Sequence, residues 1–105
     1  MKILFDQGAP VPLREFLAGH TVNTAYEKGW SELANGELLR AAESEGFDCL
    51  VTTDQNLRYQ QNLQTRKIGI AVLLSANWPK MRPHAATIAE MILGVRAGAY
   101  LEIPI

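Results

Sequence analysis

The sequence predicts an α/β domain built as three layers, α-β-α, around a mostly parallel sheet of four to five strands. Two observations carry that reading. Short apolar runs alternate with amphipathic stretches along the chain, separated by Gly- and Pro-containing punctuation. Residues 68–74 form the most continuous apolar run, as a strand covered on both faces does.

The elements follow in order. Ile3, Leu4 and Phe5 make the first strand. Residues 6–12 hold Gly8, Pro10 and Pro12 and read as a loop into a helix start. Leu13, Phe16 and Leu17 recur at helical spacing, so residues 12–18 read as a short helix, ended by Gly19. Residues 20–25 alternate weakly and give a second strand. Asn35 is placed as the cap of a helix whose apolar stripe is Leu38, Leu39, Ala41 and Ala42, closed by Gly46. Cys49, Leu50 and Val51 with Thr52 and Thr53 form a buried strand. Residues 55–64 have helical composition, and residues 68–74 are the central strand. Residues 75–83, with two prolines and Trp78, read as a loop. Ala85, Ile88, Ala89, Ile92 and Leu93 mark an amphipathic helix. Residues 100–105 form a last strand, which Pro104 confines to an edge. This alternation implies right-handed crossovers.

Composition narrows the function classes. A chain of 105 residues with 48% hydrophobic content suits one folded domain and is too apolar for disorder. A domain this small gains from a partner or from homodimerisation. Ten basic against 11 acidic residues leave a net charge of −1, which argues against nucleic-acid binding through a bulk positive field. No apolar run approaches the roughly 20 residues that span a bilayer, so no membrane association is expected. The opening MKILFDQG reads as a strand rather than a signal peptide, and the single Cys49 forms no internal disulfide; a reducing cytoplasm is the expected location. Cys49 is expected in the core. There is no GxGxxG or GxxxxGK[ST] phosphate loop, no GxSxG elbow and no zinc-type spacing of Cys49, His20 and His84. Trp30 and Trp78 flank loops and are expected as packing anchors, with base stacking as the alternative for Trp78 beside Lys80 and Arg82.

The carboxylates are more informative. In an open α/β sheet, ligands bind beyond the carboxyl ends of the strands. Asp6 directly follows the first strand and Asp54 the third, while Asp48 precedes the third strand and belongs to the opposite edge. Glu37, in the first turn of the helix after Asn35, sits at the same edge as Asp6 and Asp54. Three carboxylates without paired bases repel one another, and a hard divalent cation, Mg²⁺ or Mn²⁺, relieves the repulsion and can polarise a phosphodiester. Thr52, Thr53, Asn56, Ser75 and Asn77 lie near this edge as holders of metal-bound water or substrate, and Arg58 as a phosphate contact. Singly, each acid has a structural use: Asp54 as a helix cap, Asp6 in an Asx-turn, Glu37 against a helix dipole.

The opening MKILFD before a Pro-containing loop, and the segment NGELLRAAESEGFDCLVTTDQNL, resemble the PIN-like domains, over roughly residues 1–75. The resemblance implies a Rossmann-like PIN-type fold over residues 1–105 and a Mg²⁺- or Mn²⁺-dependent ribonuclease, commonly the toxin of a toxin–antitoxin pair with a cognate antitoxin protein as partner. It carries the acidic ligands onto Asp6, Glu37 and Asp54. The chain departs from the pattern at Gln7-Gly8, where relatives often continue Glu-Asn, and at Asn35-Gly36-Glu37, which holds one carboxylate where relatives hold two or three. An inactive PIN-like interaction module, docking a partner around Trp78 and the C-terminal helix, is the alternative. A receiver-like phosphoacceptor domain ranks third, because Asp6-Gln7 lacks the paired acids such domains use.

Overall fold

The computed structural model describes residues 1–57 and 66–105. Five strands, β1 (Lys2–Phe5), β2 (Thr21–Thr24), β3 (Cys49–Thr52), β4 (Gly69–Leu73) and β5 (Tyr100–Ile103), form one sheet in the order β2-β1-β3-β4-β5. Every neighbouring pair is parallel. Strands β3 and β4 are buried at every residue, which accounts for their unbroken apolar character. β5 lies at an edge, where the sequence placed it, and Pro104 follows its last residue.

Alternation along each strand sorts the core into two layers. Ile3, Phe5, Cys49, Val51, Ala71 and Leu73 face Leu13 and Leu17 of a 3-10 helix, Val11–Leu17, and Ile88, Ala89 and Ile92 of a helix, Ala85–Leu93. Leu4, Leu50, Ile70 and Val72 face the other way, against Leu38, Leu39 and Ala42 of helix α1 (Asn35–Ser44). The molecule is therefore a three-layer α-β-α sandwich.

Four details differ from the sequence reading. The segment at residues 12–18 is a 3-10 helix, Val11–Leu17, with Pro10 at its cap and Pro12 at its second position, where a missing N–H costs nothing. Residues 75–83 are not a continuous loop. Asn77 caps a one-turn helix, α2 (Trp78–Met81), by accepting from the Lys80 backbone N–H at 3.2 Å, and a 3-10 turn (Arg82–His84) leads into α3 (Ala85–Leu93). Pro79 sits where its missing N–H costs nothing. Asn35 is not the cap of α1: Ala34 holds that position, and Glu37 Oε1 accepts from the Ala34 backbone N–H at 3.4 Å. Finally, the crossovers do not share one hand. The 3-10 helix and α3 cover the same face, yet β1→β2 and β4→β5 step in opposite directions across the sheet. The two connections therefore have opposite hands, because α3 packs beside the short 3-10 helix on that face.

Trp78 is half-buried against the core, with its ring 6.1 Å from that of Phe16. Trp30 packs edge-on to Phe47 at 6.1 Å. Among the described residues, no helix is long and apolar enough to cross a membrane.

Candidate functional site

The sheet order reverses at β1. The chain moves from β1 outward to β2, then back past β1 to β3. The carboxyl ends of β1 and β3 therefore flank a topological switch point, the place where open α/β sheets bind ligands. Phe5 pairs with Val51, so Asp6 comes level with Thr52, and the Asp6 backbone N–H donates to the Val51 carbonyl at 2.9 Å.

One hydroxyl joins the two aspartate segments at this point. Thr52, 1% exposed, donates its Oγ1 hydrogen to Asp6 Oδ2 at 2.9 Å and accepts from the Asp54 backbone N–H at 3.1 Å. The other Asp6 oxygen, Oδ1, accepts from the Gln7 backbone N–H at 2.8 Å. Asp54 Oδ1 accepts from the Asn56 backbone N–H at 2.9 Å, an Asx-turn that starts the next segment. Asp54 Oδ2 accepts from Asn35 Nδ2 at 2.7 Å. Asn35, at the first position of α1, thus serves the strand edge rather than its own helix. Asp54 thus makes a local turn as well as the edge contact, whereas the Asp6 side chain accepts from the adjacent Gln7 N–H rather than from the Gly8 N–H that an Asx-turn would use.

The two carboxylates are held by neutral donors, and among the described residues neither forms an ion pair. Each accepts two hydrogen bonds, about half of the acceptor capacity of an ionised carboxylate. The remaining capacity is hard oxygen, which suits a cation such as Mg²⁺ or Mn²⁺ bound through one or two carboxylates with water completing its shell.

Glu37 does not join them. It is exposed, and its carboxylate turns back to the Ala34 N–H. Among the described residues, no three His, Cys, Asp or Glu side chains form a group suited to a metal ion. Thr53 lies against Gly8: a side chain at position 8 would collide with Thr53 Oγ1, so the loop after β1 takes glycine there. Asn77 is spent as the α2 cap, and Ser75 Oγ accepts from the Asn77 backbone N–H at 3.0 Å. Arg58 and most of the helical segment expected at residues 55–64 lie outside the described residues. Asp48 is at the far edge, where it accepts from the Lys2 backbone N–H at 2.8 Å. Cys49 is buried, its thiol pushed up to about 12 chiefly by desolvation, and is chemically inert at neutral pH.

A cleft of about 470 Å³ opens on the other side of Asp6, between the loop after β1, the 3-10 helix and the turn after β2. Arg14 Nη1 and Glu27 Oε2 form an ion pair across it at 3.1 Å. Glu27 Oε1 accepts from the Thr24 backbone N–H at 2.8 Å, and Thr24 Oγ1 accepts from the Glu27 N–H at 3.0 Å. These bonds, the Thr24 backbone first and then Arg14, hold the Glu27 carboxyl below its ordinary value. The sequence signal for this turn is Thr24-Ala25-Tyr26-Glu27, which has the spacing of a capping box.

Fold and edge together define the class: an open, all-parallel α/β sheet with an acidic switch-point site. No family model, no curated protein and no solved structure matches the chain.

Proposed function

We propose that this protein is a Mg²⁺- or Mn²⁺-dependent ribonuclease whose cation is held by Asp6 and Asp54. The observation that carries the reading is the Thr52 hydroxyl, which donates to the Asp6 carboxylate and accepts from the Asp54 backbone N–H at the switch of the sheet, while neither aspartate forms an ion pair among the described residues. A cation bound there supplies Lewis-acid polarisation of a phosphodiester and an acidified water. Asp6 and Asp54 provide charge and orientation, Thr52 and Asn35 fix the carboxylate planes, and Thr53 and Asn56 border the edge at which a phosphate would lie. The resemblance of the MKILFD and GFDCLVTTDQNL segments to PIN-like domains supports the same reaction class. It adds a context: a cytoplasmic toxin neutralised by a cognate antitoxin protein.

The test is cleavage of single-stranded RNA with added Mn²⁺. Asp6→Asn and Asp54→Asn are each expected to abolish metal-dependent cleavage while the domain remains folded. Undiminished cleavage in both variants would sink the assignment.

A second reading is favoured by Glu37, whose carboxylate serves its own helix and leaves a site of two acids. In that reading the fold is an interaction module, and the wild-type protein binds no Mn²⁺.

A further inference from the structure

Resting on the ribonuclease reading, we propose that the cleft beside Asp6 receives a single unstacked nucleobase of the RNA, with Tyr26 as its stacking platform. The cleft and the carboxylate edge share Asp6, so a base seated in one leaves its own phosphate at the other. Tyr26 is 80% exposed, the most exposed large hydrophobic side chain described, and it lines this cleft together with the exposed Val11. The exposed Tyr26 ring offers a flat face to a base, and base–aromatic stacking, tolerant of sequence, is one of the terms by which proteins grip single-stranded RNA.

Charge selects the base over the phosphate. Asp6 and Glu27 against Arg14 leave the cleft with one net negative charge, so a phosphate is repelled and a neutral ring is admitted. Arg14 supplies the polar handle. Its one hydrogen bond among the described residues runs from Nη1 to Glu27, and its Nε is buried without a partner. A ring nitrogen or carbonyl oxygen brought into the cleft gives the guanidinium an acceptor. The Thr24–Glu27 bonds hold the backbone on both sides of Tyr26, so the turn that carries the ring is fixed.

The test uses neutral nucleosides, uridine and adenosine, titrated in EDTA and followed by ligand-observed NMR. This removes both the cation and the phosphate from the experiment. The wild type is expected to bind, Tyr26→Phe to bind equally, and Tyr26→Ala to lose about tenfold in affinity. The 5′-monophosphates are expected to bind more weakly than the nucleosides. A short single-stranded RNA is expected to lose affinity with Tyr26→Ala in the cleavage-deficient Asp54→Asn background. No nucleoside binding, or binding indifferent to Tyr26→Ala, would overturn the proposal. A free monophosphate that displaces the RNA at equal concentration would assign the cleft to a free nucleotide and overturn the RNA part. None of these results depends on metal binding by Asp6 and Asp54, so the cleft and the nuclease reading fail separately.

Discussion

Replacing Thr52 with valine keeps the branched shape of the side chain and deletes the hydroxyl on which the site is built. That hydroxyl makes two bonds, donating to Asp6 Oδ2 at 2.9 Å and accepting from the Asp54 N–H at 3.1 Å. At 1% exposure, Thr52 has no room for water to take its place. A bond to a charged group contributes about 1.5–3 kcal/mol and a neutral one about 1 kcal/mol, so Thr52→Val should cost about 2–4 kcal/mol. In a domain of this size that lowers the thermal midpoint by roughly 10–20 °C. Thr52→Ser keeps the hydroxyl and loses one methyl, for about 1 kcal/mol. The assay is thermal unfolding followed by circular dichroism in EDTA, repeated with Mn²⁺. Valine must be worse than serine, and the Mn²⁺ affinity of Thr52→Val should fall about 10–100-fold as Asp6 loses its orienting donor. A serine variant as unstable as the valine variant would refute the reasoning, because it would assign Thr52 to packing.

Other perturbations probe neighbouring parts of the account. Asn35→Asp sets a carboxylate where Asn35 Nδ2 now donates to Asp54 at 2.7 Å; it should destabilise the protein in EDTA, and Mn²⁺ should recover the loss, as thermal midpoints with and without the metal will show. Glu27 titrates below its ordinary value of 4.5 when folded, so its bonds stabilise the protein above the unfolded value and are lost as pH falls through the folded one. Glu27→Gln should therefore be less stable than the wild type by a constant amount between pH 6 and 8, and the gap should close as pH falls below about 5. Cys49 should resist a thiol reagent in the native protein and react at once in denaturant; rapid native labelling would contradict its burial.

Much of this architecture could be read from the residues because local and global preferences agree. The unbroken apolar stretch that became β4 is buried on both faces, and the first strand ends where Asp6 interrupts it. Position alone placed Asp6 and Asp54 at one edge: in a parallel sheet, the residue after a strand lies at the edge where ligands bind. Asn35 was misplaced because cap preference is a weak local term, and here a bond to Asp54 across the structure outweighs it. Glu37 fell outside the site for the complementary reason, since moving the cap to Ala34 turned its carboxylate onto the helix end. The hand of the last crossover depends on which face α3 covers, and an amphipathic pattern shows that a helix has an apolar side without showing which side of the sheet receives it. The cleft arises from three segments, and only the Thr24–Glu27 spacing announced any part of it.

The most direct test of the central claim is isothermal titration of Mn²⁺ into the wild-type protein and the Asp6→Asn/Asp54→Asn double variant, both shown to be folded. Binding by the wild type that vanishes in the double variant is the predicted result. A folded wild type that binds no Mn²⁺, or a double variant that binds it equally well, would contradict the account.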